Sequence, residues 1–346
     1  MAGPTRARYE QAGLAEPASA SAAKHPDSFR QHGNPRRIRS MMKRGRSNSD
    51  DPRLLLGLST LKVTESGAKA LTATRYHCEV QTRRKPLIKK AVVVRRLVEK
   101  VENWPTVLVR YMAARFGIAS SIAMEVRLRD GLVVAVPAAP SSSWPIVEVL
   151  VLDCYHTSMV PGSPAVILDI GAHVGSASLA LHRAFPDARM VCYEPSPATA
   201  DFLRRNLSGN GVTAEVHEFA VAGRDGHAYL VSDTATSCGA SVVFDDSGGM
   251  PITVASFDHV MEKLDSGPVL LKLDCEGSEF AILEQSLGSS FSTVQTVLLE
   301  YHPRRVSGGY ARVCAGLERF GFSEAWHDPD IFHDGLGLSC FVRSSG

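Results

Sequence analysis

Val166-Ile167-Leu168-Asp169-Ile170-Gly171-Ala172-His173-Val174-Gly175 is an apolar run that carries one acid near its end and enters a glycine turn. Its β-branched and aliphatic content suits a strand buried on both faces, as in a parallel sheet. The stretch 175–185 reads as a helix, and a second apolar strand, 189–193, ends at Glu194 about 20 residues beyond the turn. Strand, glycine turn, helix, strand and acid in that order form a βαβ unit of the kind that binds an adenosine-containing cofactor.

The glycine spacing indicates which cofactor. A dinucleotide fold requires G-x-G-x-x-G, because its second glycine lets a pyrophosphate lie against the backbone. Here Gly171 and Gly175 form G-x-x-x-G, with His173 where that second glycine would stand. Asp169 would repel a pyrophosphate, whereas a carboxylate there accepts hydrogen bonds from the ammonium of a methionine moiety. The pattern therefore reads as an S-adenosylmethionine site. Asp169 is expected on the ammonium, the backbone from Gly171 through His173 to Gly175 beside the cofactor, and Glu194 on the ribose hydroxyls. A plain structural βα turn is the competing reading, and the glycine spacing argues against a nicotinamide dehydrogenase.

The chain has 346 residues, of which 44% are hydrophobic, enough for one large domain with a sizeable core plus a tail. A formal net charge of +2 implies no strong bias toward an acidic partner. Seven cysteines (Cys78, Cys154, Cys192, Cys238, Cys275, Cys314 and Cys340) show no C-x-x-C pair, which argues against a zinc knuckle or a disulfide scaffold. A reducing compartment, cytoplasmic by default, is expected. No apolar run approaches the ~18 residues of a membrane span, and the N-terminus lacks the apolar core of a secretory signal.

Residues 1–60 are rich in Ala, Ser, Pro and Arg, with Arg30, Arg36, Arg37, Arg39, Lys43, Arg44 and Arg46 close together. Such a segment buries too little apolar surface to offset its ordering entropy, so a disordered basic tail is expected. An organelle transit peptide ranks second, since Glu10 and Glu16 count against it, and a nucleic-acid-binding arm third. Residues 61–160 read as a helical and hairpin cap. Within it, 97–116 suits an amphipathic helix broken or kinked near Pro105, and Asp130-Gly131 signals a two-residue hairpin between 124–129 and 132–136. A short helix is expected over 146–155, before a Pro-Gly-Ser-Pro break at 161–164.

Residues 161–346 read as the cofactor domain, a doubly wound α/β sheet. Strands are expected at 165–170, 189–193, 215–220, 269–273 and 294–301, with helices at 175–185, 197–209, 256–263 and 279–287. Short β segments at 227–231, 241–244 and 252–254 suggest a small flap, and 322–327 with 338–343 a terminal antiparallel hairpin at the sheet edge.

In an open α/β sheet, ligands bind outside the carboxyl ends of the strands. Two ends are loaded: Lys272-Leu273-Asp274-Cys275-Glu276-Gly277-Ser278-Glu279 and Glu300-Tyr301-His302. Methyl transfer to oxygen needs positioning and removal of a hydroxyl proton. His302 is the first choice of base, Asp274 the second, with Glu300 in the same group. The bland readings are that His302 caps its strand and bonds Glu300, that Asp274 caps the next helix, and that Glu276 and Glu279 are helix N-terminal acids. Asp274, Glu276, Glu300 and His302 also form a donor set of the type Mg²⁺ accepts, a minority view beside a metal-free site.

These motifs, with Tyr193-Glu194-Pro195 and Ala220-Val221, resemble the ordered motifs of the FkbM-type methyltransferases over roughly residues 155–302. The resemblance implies a class I, Rossmann-like methyltransferase fold of seven strands with one antiparallel strand near an edge. It also implies S-adenosylmethionine as methyl donor, Ala220 near the adenine, Asp274 at the cofactor as well as the catalytic site, and hydroxyls of small molecules or saccharides as acceptors. His173 and Ser196 replace asparagines common in the family. An RNA or protein methyltransferase, or a binding scaffold without catalysis, are the alternatives. Tyr9 and Phe29 are the only aromatics of the tail, which disfavours nucleic acid as a partner. Oligomeric state has no signature in the sequence.

Overall fold

A computed structural model describes residues 85–115, 123–138, 143–232, 240–245, 248–264, 267–302, 309–329 and 337–344. The basic tail, with its transit-peptide and nucleic-acid readings, lies outside the described residues, as do Cys78 and Cys238.

The cap begins with helices α1 (Lys85–Lys100) and α2 (Trp104–Arg115). The helix expected over 97–116 is broken, as one of its two expected forms, into these two helices, with Pro105 in the first turn of α2, where its missing N–H costs no hydrogen bond. The hairpin of β1 (Met124–Arg127) and β2 (Val133–Val136) follows. Leu128 donates to the Leu132 carbonyl, so the loop holds three residues rather than two, with Gly131 at φ +96° in the left-handed region such a loop requires. The helix expected over 146–155 is a short turn, Trp144–Ile146, that continues as a π-helix, Val147–Val151.

The central sheet comprises β3 (Val166–Ile170), β4 (Arg189–Tyr193), β5 (Ala214–His217), β10 (Val269–Leu273), β11 (Val294–Tyr301), β12 (Phe322–Pro329) and β13 (Gly337–Arg343). Their order is β12-β13-β11-β10-β3-β4-β5, with β13 antiparallel to both neighbours and the rest of the ladder parallel. This is the seven-stranded, doubly wound sheet expected of a class I methyltransferase. The terminal antiparallel hairpin lies at the sheet edge as expected, with β12 outermost and the last strand, β13, inside it.

Helices α3 (Ser176–Ala184), α4 (Pro197–Gly209), α5 (Phe257–Glu262), α6 (Ser278–Gln285) and α7 (Gly309–Arg319) complete the domain. The Ser196 hydroxyl accepts from Thr199 N at the start of α4, and Pro197 pre-sets the first turn. Alternate residues of each central strand feed two cores. Ile167, Met190 and Leu270 face the cap side, while Leu168, Val191 and Leu271 face Phe257 and Phe291 on the other. The buried Asn206 of α4 ties the cap to the turn, accepting from Ala135 N and donating to the carbonyls of Ala135 and Val174.

The third expected strand, 215–220, divides. β5 stops at His217, and Ala220–Ala222 (β6) opens a second sheet with β7 (Gly226–Ser232), β8 (Ala240–Val243) and β9 (Met250–Ser256), ordered β6-β9-β7-β8. The flap segments are thus part of a four-stranded sheet. Among the described residues, no helix is long and apolar enough to cross a membrane.

Candidate active site

Chain order reverses between β3 and β10, so their carboxyl ends flank the crevice where ligands bind in such folds. At that point Gly171 has φ +80°, and a Cβ there would stand 1.8 Å from the Asp274 carbonyl oxygen. Only glycine lets the β3 turn and the β10 end approach so closely. Gly175 has φ +88° and heads α3; a Cβ on it would meet Leu203 of α4 at 2.8 Å.

Asp169 sits beneath this turn with no exposed surface. Its carboxylate accepts from the Ser178 hydroxyl at 2.6 Å and lies 3.0 Å from the ammonium of Lys272, its cross-strand neighbour on β10. Lys272 also donates to the Gly171 carbonyl at 2.7 Å. Burial opposes its charge, but Asp169 and Asp274 outweigh that and raise its pKa. Asp169, expected on the cofactor ammonium, is thus paired with Lys272 beneath the turn. The acid is sealed from solvent and spends its charge on Lys272, holding the turn from below.

Glu194, at the end of β4, is 7% exposed. One oxygen accepts from His173 N at 3.0 Å and the other from Ser196 N at 2.9 Å. Burial raises its pKa to about 7 against the lowering effect of those two N–H groups. His173 adopts φ +50°, and burial lowers its imidazole to about 4, so the ring is neutral at physiological pH. Ala220 is 3% exposed and packs with Ala222, Ala228, Ile252 and Val254 in the core of the small sheet. With β5 ending at His217, Ala220, expected near the adenine, belongs to the other sheet.

The two loaded strand ends meet. His302 Nε2 lies 3.4 Å from Glu276, 3.9 Å from Asp274 and 3.9 Å from Glu300. Its Nδ1 stands 3.0 Å from Glu279 Oε1, which also accepts from His302 N at 3.1 Å. Burial would lower the imidazolium, yet Glu279, with Glu276 and Glu300, outweighs burial and raises its pKa to about 10. His302, the first choice of base, is therefore held toward its protonated form by the acids around it. Glu300 carries the opposite property. Burial, reinforced by Asp274 and opposed by His302, holds its pKa well above the ordinary carboxylate range. Asp274 and Glu300 keep about a quarter of their side chains exposed (26% and 25%), open to a ligand. Asp274 does not cap α6, whose N-cap is Gly277, and His302 bonds Glu279 rather than Glu300. Asp274, Glu300 and His302 each bring a ligating atom within 4.8 Å of the others.

Three partners of the site carried no functional assignment in the sequence. Glu279, which reads as a helix acid, is fully buried and joins α6 to the end of β11. Lys272 stands in the quoted strand end two residues before Asp274, with no role read from it. Tyr155 comes from the cap, outside any motif, and its hydroxyl reaches Asp274 Oδ2 at 3.4 Å.

Residues 169–324 match the methyltransferase FkbM domain. That match spans 156 of the 346 residues. This family uses S-adenosylmethionine as methyl donor. Methyltransferase 1 of Beauveria bassiana (strain ARSEF 2860) is 24% identical over 207 residues, 53% of this chain and 82% of that protein. Methyltransferase sdnD of Sordaria araneosa is 35% identical over 69 residues, 20% of this chain and 26% of that protein. Among solved structures, a tRNA (uracil-54, C5)-methyltransferase of Pyrococcus abyssi, in complex with S-adenosyl-L-homocysteine, is similar with a TM-score of 0.37 at 14% identity. That likeness covers 64% of this chain and 44% of that one.

Proposed function

We propose that this FkbM domain is an S-adenosylmethionine-dependent O-methyltransferase acting on the hydroxyl of a small molecule or saccharide. The observation that carries the reading is the pair of part-exposed carboxylates, Asp274 and Glu300, at the carboxyl end of β10 and β11 beside the glycine turn. The donor set fits the cofactor. A cationic sulfonium is attracted to this acidic mouth, while Glu194 and the backbone from Gly171 to Gly175 frame the nucleoside side. When bound, S-adenosylmethionine supplies a methyl carbon on sulfur, and the electron pair of the broken S–CH₃ bond stays on that sulfur.

Glu300 takes the proton of the acceptor hydroxyl as the hydroxyl oxygen bonds to the methyl carbon. Burial, reinforced by Asp274, raises its pKa, which makes its carboxylate a stronger proton acceptor than an ordinary one. His302, held protonated on Glu279, fixes the position of the surrounding acids, and Asp274 orients the acceptor with Tyr155. Residues 161–346 form the catalytic domain, with the helices and hairpin of 61–160 as its cap.

Calorimetry with S-adenosylmethionine and a labelled methyl-transfer assay over hydroxylated acceptors test the reading. Glu194→Ala is expected to weaken cofactor binding by tenfold or more, about 1.4 kcal/mol. Glu300→Gln is expected to keep cofactor affinity and lower kcat by about 100-fold. Normal cofactor binding by the first variant, or full turnover by the second, overturns the corresponding assignment.

A further inference from the structure

A cavity of about 390 Å³ opens beside the strand-end cluster, between the small sheet and α6. Its wall includes Arg224, Val242 and Phe244 on one side and Glu276, Ser278 and Gln285 on the other. The size is that of a small-ligand site. Glu276 belongs both to this wall and to the cluster, since its carboxylate reaches His302 at 3.4 Å. The cavity and the proposed catalytic acids therefore adjoin. Glu276 adopts φ +53°, a strained conformation for a residue with a side chain, of the kind that persists where the surroundings impose it.

The two ends differ in charge. The Glu276 end is acidic and continues toward Asp274 and Glu300. The far end holds Arg224, whose guanidinium carbon stands 4.2 Å from the centroid of the Phe244 ring. Among the described residues no carboxylate pairs with that guanidinium, in contrast to Arg189, Arg204 and Arg312, which all have acid partners. A guanidinium fixed on an aromatic face keeps its five donors for a planar or tetrahedral oxyanion. A neutral oxygen gains less from it than an oxyanion does, and an oxyanion turned the other way meets Glu276.

We propose that this cavity seats the methyl acceptor, and that the acceptor is a small hydroxylated molecule bearing an oxyanion group, carboxylate or phosphate. The oxyanion lies on Arg224, the body packs on Phe244 and Val242, and the hydroxyl reaches the Glu276 end beside the base. This assignment rests on the methyltransferase reading above and narrows its substrate class.

The test uses the full chain with S-adenosylmethionine and matched acceptor pairs: hydroxybenzoate against hydroxybenzamide, glucuronate against glucose, and glucose 6-phosphate against glucose. The first two pairs report a carboxylate, the third a phosphate. Labelled methyl transfer and binding to the cofactor-saturated protein are read for the natural chain, Arg224→Gln and Arg224→Lys. The anionic member of at least one pair is expected to be preferred roughly tenfold or more in kcat/KM. Arg224→Gln raises its KM about tenfold with cofactor affinity kept, and Arg224→Lys retains part of the preference. Equal use of neutral members, a preference untouched in Arg224→Gln, or no binding of any anionic member to the cofactor-loaded protein overturns the inference alone. Failure of the natural chain to bind S-adenosylmethionine overturns the methyltransferase reading and this inference with it.

Discussion

At Gly171 a single hydrogen atom in place of a side chain decides whether two strands can meet. A Cβ would lie 1.8 Å from the Asp274 carbonyl, and φ +80° disfavours any L side chain there. Gly171→Ala is expected to cost more than ~2 kcal/mol in urea unfolding and to abolish cofactor binding, the clash adding to the backbone strain. An alanine variant of native stability would show that the turn opens freely. At His302 the argument turns on protons. Its folded pKa of about 10 lies above the ordinary 6.5, so its contribution to stability is full below about pH 6.5 and is lost as pH rises through about 10. Glu279→Gln removes the strongest partner. NMR titration is expected to show the His302 ring titrating well below 10 in that variant, with a flatter fall of stability between those limits. An unchanged titration would assign the shift to Glu276 and Glu300 instead.

Between elements, the ion pair of Asp169 and Lys272 joins neighbouring strands β3 and β10 at one register position and carries the glycine turn on the same ammonium. Both groups are out of water, at 0% and 1% exposure, so losing one leaves the other charged and buried. Lys272→Met is expected to lose about 3–5 kcal/mol in denaturant unfolding, and adding Asp169→Asn to recover a substantial part. Additive losses in the double variant would mean that the two side chains do not depend on each other. The sequence made this pair legible only as strand residues of alternate character; which acid faces which amine follows from the register β3 adopts against β10.

Across the whole molecule, the C-terminal strand completes the sheet from within. β13 lies between β11 and β12 and buries Leu338, Ser339, Cys340 and Phe341. Deleting residues 337–346 would strip β11 of its antiparallel partner and expose its backbone hydrogen-bonding edge. Loss of cooperative thermal unfolding, followed by circular dichroism, is the expected outcome. A truncated chain that melts cooperatively near the native Tm would contradict it. The cap is bound just as closely, because the side-chain amides of Asn206 and Asn210 complete the hydrogen bonds of β2.

Local pattern determined the parallel strands, their crossover helices and the two acid-loaded strand ends, because each rests on the alternation, periodicity and glycine positions of a short stretch. It also carried the family, through motifs in fixed order. Tertiary structure decided what depends on distance: that β5 ends early and Ala220 joins another sheet, that Asp169 spends its charge on Lys272, and that Tyr155 reaches Asp274 across 119 positions. It also set His302 among Glu279, Glu276 and Glu300, which raise its pKa. The physical reason is that a side chain's charge depends on burial and on every neighbour at once, and Glu279, 23 positions before His302, becomes its partner only when α6 packs against β11.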